Sequence, residues 1–291
     1  MASEWILIAL VAAVLYGVSQ VAGKYVIDKL SAPMMVSINF VVTMPIYIVF
    51  LIAFIIGLGP WLTSIEPVIY GLIAALLGRA GYYLYLEAVE RGPVMIVGSI
   101  TAAYPAIITV LAITLLHEDI TMLQGIGIAV ITCGMIGISL SHDSSSGRTL
   151  SRTSLILSFL TLAVWGVWGV FVKLALDSLP IIYYLGLYAL VLPPLYFVYA
   201  RQKKASGVQM IPKWSRPVMI AAVAAGIGQV GLLADTTAVS WGEAAIAFPL
   251  IASYPIIMIL LAYAFLKERL SRRDLLMVAT VVAGILMVST L

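Results

Sequence analysis

Long apolar runs separated by short polar stretches follow one another along the whole chain. Runs of about 20 apolar residues have the length of a membrane-spanning helix, which satisfies its own backbone hydrogen bonds inside hydrocarbon. The pattern predicts an all-α integral membrane protein with ten transmembrane helices. The predicted spans are residues 5–26, 33–56, 68–89, 94–116, 120–140, 154–176, 181–200, 217–239, 244–265 and 273–291.

Small and polar residues inside these runs recur at a nearly constant offset of 149 or 150 residues. Gly17 matches Gly166 at the first offset, and the Tyr-Pro pair at 104–105 matches the pair at 254–255 at the second. Self-similarity of this length indicates a tandem duplication of a five-helix unit. We expect a first repeat at residues 1–147 and a second at residues 148–291.

An odd number of crossings in each unit has a topological consequence. The second copy must begin on the opposite side of the membrane, so the two copies lie upside down relative to each other. Inverted repeats are the architecture of many secondary transporters, whose site lies between the repeats near the midplane. The predicted fold is therefore two inverted five-helix repeats around a central cavity.

The composition excludes an ordinary soluble protein. Hydrophobic residues make up 63% of the chain and charged residues only 10%, whereas a soluble domain carries about 25% charged residues. The single cysteine and the two distant histidines have no metal-ligand spacing. We expect no metal, no cofactor and no nucleic-acid partner; the expected partners are a small-molecule substrate and the lipid bilayer.

Positive charge is distributed unevenly between the predicted loops. Thirteen of the sixteen lysines and arginines follow spans 1, 3, 5, 7 and 9. The positive-inside rule then predicts a multi-pass protein of the cell membrane with both termini outside the cytoplasm.

Arg79 lies about midway along the third predicted span. A charge at the bilayer centre costs about 2.5–3.5 kcal/mol on insertion scales, so Arg79 should face protein or a water-filled cavity. Helical spacing places Tyr83 and Glu87 on the same stripe, with Tyr82 beside it. Arg79 either holds an anionic or carboxylate group of a substrate, or forms an internal pair with Glu87 or Asp235 that fixes helix packing.

Asp235, in the eighth predicted span, is the second deep charge. In the repeat register Gln229 is equivalent to Arg79, and Asp235 is equivalent to Tyr85. A buried carboxylate is a candidate proton or cation site. The alternative is a salt bridge from Asp235 to Arg79 or to a lysine, either Lys24 or Lys173.

Lys24 and Lys173 recur at equivalent positions near the ends of spans 1 and 6. Their recurrence favours a structural role, either snorkelling to the interface or pairing with carbonyls at a helix end, over contact with substrate. Glu118 and Glu268 sit just past helix ends and are predicted to act as interfacial caps and loop contacts.

Proline frees a backbone carbonyl and kinks a helix. Pro105 and Pro255 are therefore candidate gate hinges, although static shape-fitting would explain them equally well. The complete set of candidate cavity residues is Arg79, Tyr82, Tyr83, Glu87, Tyr104, Trp165, Trp168, Gln229, Asp235 and Tyr254. Tyr16, Tyr188 and Asn39 are weaker candidates for the same cavity.

Paired motifs resemble one known family over nearly the whole chain. They are YGVSQVAGKYVID and WGVWGVFVKLALD, the two Tyr-Pro pairs, and the sequences EDIT and ERLS that follow spans 4 and 9. These resemble the EamA branch of the drug/metabolite transporter superfamily. The resemblance implies ten helices, inverted repeats, a central cavity, alternating access and cytoplasmic termini, the last opposite to the charge count.

Small multidrug resistance transporters, which look like half of this protein, carry a coupling glutamate eight residues before the first-helix lysine. Here those positions hold Tyr16 and Trp165, so that antiport mechanism does not carry over. A proton or cation elsewhere is a candidate coupling ion. A monomer contains both halves and suffices for transport, with a dimer as the alternative.

The predicted function is secondary active transport of small metabolites, with amino acids, other carboxylate or aromatic solutes and drugs as candidates. A flippase or translocator of a lipid-linked or amphipathic substrate on the same fold is the alternative. An enzyme is not expected, because the deep charges are too few and too scattered for an acid–base or metal cluster.

Overall fold

A computed structural model describes residues 4–26, 29–61, 64–141, 151–210, 213–257, 260–261 and 272–289. Every regular element within these ranges is a helix, which confirms the all-α class. The helices are α1 (Glu4–Lys24), α2 (Ala32–Trp61), α3 (Glu66–Glu90), α4 (Val94–Thr101), α5 (Tyr104–Leu115), α6 (Met122–Ser141), α7 (Arg152–Leu176), α8 (Ile181–Ala205), α9 (Arg216–Trp241), α10 (Ala244–Ile251) and α11 (Arg272–Val288). Residues 254–257 are also helical.

Six of the described helices, α1, α2, α3, α7, α8 and α9, are long and apolar enough to cross a bilayer. Shorter apolar helices at 104–115, 122–137, 244–257 and 275–288 overlap the other predicted spans. Large apolar side chains such as Val41 and Phe197 are exposed on the outside of the bundle, where lipid can cover them. The chain is therefore a multi-pass membrane protein, while the number of ten crossings stays a prediction.

The sequence predicts a proline kink within each of the spans 94–116 and 244–265, and the structure has a break in the helix at each of these positions. A turn at residues 102–103 separates α4 from α5, and a turn at 252–253 follows α10. The cause is the proline of each Tyr-Pro pair, because its ring clashes with the carbonyl four residues earlier. Those carbonyls belong to residues 101 and 251, where α4 and α10 end.

Four helix pairs form the most extensive contacts in the described bundle. α1 packs on α9, α3 on α7, α2 on α8 and α6 on α11. Exchanging the two repeats converts the α1–α9 pair into the α7–α3 pair and leaves the other two pairs unchanged. The bundle is therefore pseudo-symmetric, and each of these pairs joins one half of the chain to the other.

Individual glycine contacts obey the same symmetry. A Cβ added to Gly17 would lie 2.6 Å from Ile257 Cβ, and one added to Gly166 would lie 2.7 Å from Ile107 Cβ. Both pairs occupy equivalent positions in the repeat register. Small residues let membrane helices approach closely, so the repeated glycines preserve the same helix packing in both halves.

Candidate functional site

Arg79 is buried at the middle of α3, with only 7% of its surface exposed. Its Nη1 donates to Asn39 Oδ1 at 2.8 Å, and its Nη2 donates to the Tyr47 hydroxyl. The rings of Tyr47 and Tyr188 lie 5.4 and 5.5 Å from the guanidinium carbon, within cation–π range. Among the described residues, no carboxylate forms a salt bridge with Arg79.

Tyr47 connects Arg79 to its repeat equivalent. The Tyr47 hydroxyl donates to Gln229 Oε1 at 2.5 Å, and its ring stacks on Tyr188 at a centroid distance of 5.0 Å. Tyr188 continues the network, because its hydroxyl lies 2.9 Å from that of Tyr184. Arg79 and Gln229 thus meet at one hydroxyl, and with Asn39 these residues form a central polar network of six side chains.

Asp235 on α9 is 3% exposed. Its Oδ2 accepts a hydrogen bond from the Tyr16 hydroxyl at 2.9 Å, whereas its Oδ1 is buried without a hydrogen-bond partner. The Tyr16 ring lies against Gly231, where an added Cβ would be 3.0 Å from two ring carbons. The predicted salt-bridge alternatives are absent among the described residues, because neither Arg79 nor Lys173 pairs with Asp235.

An aromatic cluster lies at the equivalent position of the other half. The ring centroid of Trp165 lies 5.7 Å from that of Tyr85 and 5.7 Å from that of Tyr104. Tyr104 interacts electrostatically with both Asp235 and Tyr254, which places these groups close together. The structure therefore brings four of the predicted cavity residues together where the helices break: Tyr104, Trp165, Asp235 and Tyr254.

Trp168, another predicted cavity residue, lies one turn further along α7. Its ring packs edge-on against Phe248 of α10 at a centroid distance of 5.3 Å. A Cβ on Gly78 would lie 2.8 Å from its Nε1. Trp168 of α7 thus packs against both α3 and α10.

Glu87 belongs to a different group from Arg79, although both lie on the predicted stripe of α3. It accepts from the Tyr199 hydroxyl, from Lys203 Nζ at 2.7 Å and from Arg91 Nη1 at 2.5 Å. These partners tie the last turns of α3 and α8 together. The Arg79–Glu87 pair, weighed as one alternative, is therefore wrong for the described structure.

Tyr83 of the stripe and Tyr82 beside it lie between Arg79 and Glu87 along α3. Tyr83 is buried and packs on Tyr199, with ring centroids 5.1 Å apart. Tyr82 is half-buried next to it, at a centroid distance of 6.3 Å. Tyr83 therefore lies with the Glu87 group, and only Arg79 of the stripe belongs to the central polar network.

Lys173 and Glu118 hold the link between α9 and α10. Lys173 Nζ donates to Gly242 O at 2.9 Å and pairs with Asp177 Oδ1 at 3.0 Å. This confirms the predicted pairing of Lys173 with carbonyls at a helix end. The side chain of Lys24, its equivalent, lies outside the described residues.

Glu118 caps α10, as predicted for a residue just past a helix end. Its two carboxylate oxygens accept from the backbone N–H groups of Ala244 and Ala245, each at 2.8 Å. A carboxylate at this position is favoured by the helix dipole. Partial burial raises the pKa of Glu243 in the same link, and the neighbouring Glu118 adds to the increase while Lys173 opposes it.

The sequence profile of the EamA-like transporter family matches residues 3–140 and again residues 152–290. The chain belongs to the EamA-like transporter family. Both matches leave out the polar stretch between the two halves. The resemblance of the paired motifs is thereby confirmed at the level of the family.

Two similar proteins add to this picture. A protein of Methanocaldococcus jannaschii, described only as uncharacterized, is 31% identical over 137 residues, which cover 47% of this chain and 97% of that protein. A crystal structure of another protein superposes on 100% of this chain and 99% of its own, with a TM-score of 0.75 and 17% identity. At that identity the likeness supports the fold alone.

Sequence reasoning missed Tyr47 and Tyr184 and gave Asn39 and Tyr188 little weight. A tyrosine in a predicted span usually belongs to the interfacial belt, so its hydroxyl carries no distinguishing pattern. The one available signal is spacing. Tyr47 follows Asn39 by eight residues, which places both on similar faces of α2.

Proposed function

We propose that this EamA-family protein is a secondary active transporter of small solutes that carry a carboxylate, including solutes that also carry an aromatic ring. Arg79 binds the carboxylate at the middle of the bundle. Asn39, Tyr47 and Gln229 orient the guanidinium, and the aromatic residues around Trp165 offer faces on which a ring can stack.

The observation that carries the proposal is the buried guanidinium of Arg79, which has no carboxylate partner among the residues that the structure describes. Burying a charge is costly unless it is paired and hydrogen-bonded. The acceptors Asn39 and Tyr47 are uncharged, and they leave other N–H groups of the guanidinium fork available. A planar fork binds a carboxylate with two parallel hydrogen bonds, so a carboxylate solute supplies the missing charge.

A difference in packing between α4 and α10 supports a carrier whose two repeats are in different states. A Cβ added to Gly98 would meet no atom within 4 Å, although its repeat equivalent, Phe248, is fully buried against Trp168. In the second repeat, Phe248 therefore fills a volume that the equivalent residue Gly98 leaves open in the first repeat. Space on one side and close packing on the other is the arrangement expected of a carrier in one of two alternating states.

The topology of the proposed carrier follows from the duplication. Ten crossings divided into inverted repeats at residues 1–147 and 148–291 allow one repeat to rock against the other around a fixed site. The breaks before Pro105 and Pro255 supply the hinges. We place the protein in the cell membrane with both termini extracytoplasmic, as the loop charges favour, and a single chain suffices.

Uptake by proteoliposomes tests the proposal. The probes are radiolabelled phenylalanine, benzoate, glutamate and lactate, and protein-free liposomes are the control. We expect saturable uptake of at least one probe, and accelerated uptake when the vesicles are preloaded with the same unlabelled solute. That acceleration requires a carrier that returns loaded, and a channel does not produce it. If no probe enters faster than into protein-free liposomes, carboxylate transport is ruled out.

A further inference from the structure

Asp235 is a buried charge that the proposed binding of a carboxylate does not use and, unlike Glu87, it has no ionic partner among the described residues. Its side chain is 3% exposed, and only one of its two oxygens has a hydrogen-bond donor, the Tyr16 hydroxyl at 2.9 Å. A buried carboxylate without a cation is as costly as a buried cation without an anion. Oδ1 therefore marks a place where a positive charge is required.

Within the described part of the chain, Asp235 has a hydroxyl partner and no ion-paired cation. The helices packed on α9 are α1, α2, α7, α8 and α10. The titratable side chains of the described residues that interact with the carboxylate are tyrosines, and α10 carries no ionisable residue. The tyrosines are Tyr16 from α1, Tyr104 from α5, and Tyr184 and Tyr188 from α8. Lys173 donates to the carbonyls of Val239 and Gly242 at the C-terminal end of α9 and pairs with Asp177, and it forms no salt bridge with Asp235.

We propose that Asp235 is the coupling site of this transporter, a carboxylate that takes up a proton on one side of the membrane and releases it on the other during each transport cycle. The inference rests on the proposed carrier function. No covalent chemistry is involved: the proton binds a carboxylate oxygen from water and returns to water.

The Tyr16 hydroxyl suits a group that changes its protonation state. It donates to Oδ2 when Asp235 is ionised, and because a phenol oxygen also accepts, it can receive a hydrogen bond when that oxygen is protonated. The 2.9 Å contact therefore serves both states. A divalent cation is less suited to the position, because it takes several oxygen ligands and the described residues hold no cluster of three metal-ligating side chains.

The helix that carries Asp235 also contacts the Arg79 network. Gln229 accepts from Tyr47 and lies six residues before Asp235 on α9, a rise of about 9 Å. An ionised Asp235 repels a carboxylate solute at Arg79, whereas a protonated Asp235 does not. Proton and anionic solute should therefore favour each other's binding and move in the same direction.

Proteoliposomes with an imposed pH gradient test this coupling, with the same four radiolabelled probes. When the outside is more acidic, wild-type protein should accumulate at least one probe above the level that protein-free liposomes reach under the same gradient. Asp235→Asn, which cannot exchange a proton, should lose that accumulation and still exchange internal for external solute, because exchange moves no net proton. Asp177→Asn, at an ion pair just past the end of α7, is the matched control and should accumulate the probe as the wild type does.

The outcomes separate the two proposals. If Asp235→Asn accumulates a probe under the gradient as the wild type does, the coupling role is wrong while carriage stands. Accumulation driven by a sodium gradient but not by a pH gradient also overturns the proton assignment. If the wild type moves none of the probes in either assay, the carrier function itself fails. A monodisperse elution profile of each variant in detergent excludes loss through misfolding.

Discussion

The two equivalent helix seams of the bundle, α1 with α9 and α3 with α7, share a scaffold but differ in chemistry. In the first, the Tyr16 ring lies on Gly231 and its hydroxyl reaches Asp235. In the second, the Trp165 ring lies on Gly81 and packs beside Tyr85. Equivalent positions thus hold a hydrogen-bonded carboxylate on one side and an aromatic pair on the other.

The two deep charges divide between the seams in the same way. Arg79 on α3 is equivalent to Gln229 on α9, and Asp235 on α9 is equivalent to Tyr85 on α3. Glycines that set helix distance are repeated in both halves, whereas the two deep charges are not. We infer that the duplication set the helix packing and that each deep charge has a role in only one of the two repeats.

Arg79→Gln gives α3 the residue that α9 carries at the equivalent position, and it should have the largest effect on uptake. Charged hydrogen bonds contribute about 1.5–3 kcal/mol, so we expect uptake or binding of the carboxylate probes to weaken roughly 10-fold to 100-fold. Arg152→Gln, which removes an exposed arginine from the start of α7, is the matched control. Equal loss of probe uptake in both variants would mean that uptake depends on the total positive charge of the protein and not on the buried position of Arg79.

Gly98→Phe gives α4 the phenylalanine that α10 carries at the equivalent position, Phe248. The phenyl ring would enter the open space beside α4, and we expect uptake to fall about tenfold while the protein stays folded. Val110→Phe adds the same bulk on an exposed face of α5 and should leave uptake unchanged. Undiminished uptake by Gly98→Phe would remove the argument for an open path there.

Gly231→Ala and Gly81→Ala test whether the two seams share one scaffold. The new Cβ would lie 3.0 Å from the Tyr16 ring in the first and 2.5 Å from Trp165 Nε1 in the second. Overpacking of this kind costs about 1–3 kcal/mol, so both should lower the melting temperature in detergent. Gly226→Ala, where a Cβ meets no atom within 4 Å, should not. A response at only one seam would contradict the symmetry.

Glu118→Gln probes a scaffold contact and should have the smallest effect. The amide keeps one acceptor for the N–H groups of Ala244 and Ala245 but loses the negative charge at the N-terminus of α10. We expect a loss of about 0.3–1 kcal/mol in stability, measured as a small fall in melting temperature. Asp119→Asn, next to it and exposed, is the control and should leave the melting temperature unchanged.

Much of the fold could be predicted from the sequence because bilayer physics leaves few choices. Apolar run length located the helices, and the repeat register identified equivalent residues such as Gly17 and Gly166 whose contacts are equivalent in the structure. The break before each proline was predicted only as a kink. A full turn forms because the preceding helix ends at the carbonyl with which the proline ring would clash.

The candidate site was predictable only in part. The cost of a charge in hydrocarbon indicated that Arg79 faces protein or a cavity rather than lipid, and both Arg79 and Asp235 are buried inside the bundle. Their partners depend on which helices meet, and no local pattern encodes that Tyr47 reaches Arg79 or that Tyr16 reaches Asp235. Glu87 shares a helix stripe with Arg79, yet the end of α8 supplies Lys203 and Tyr199 to it instead.

The position of a bound carboxylate tests the central claim most directly. A crystal or cryo-electron microscopy structure should be determined with whichever probe the uptake assay identifies. We predict that its carboxylate oxygens lie within hydrogen-bonding distance of the Arg79 guanidinium, beside Asn39 and Tyr47. A probe bound elsewhere, with Arg79 still contacting only uncharged side chains, would contradict the account.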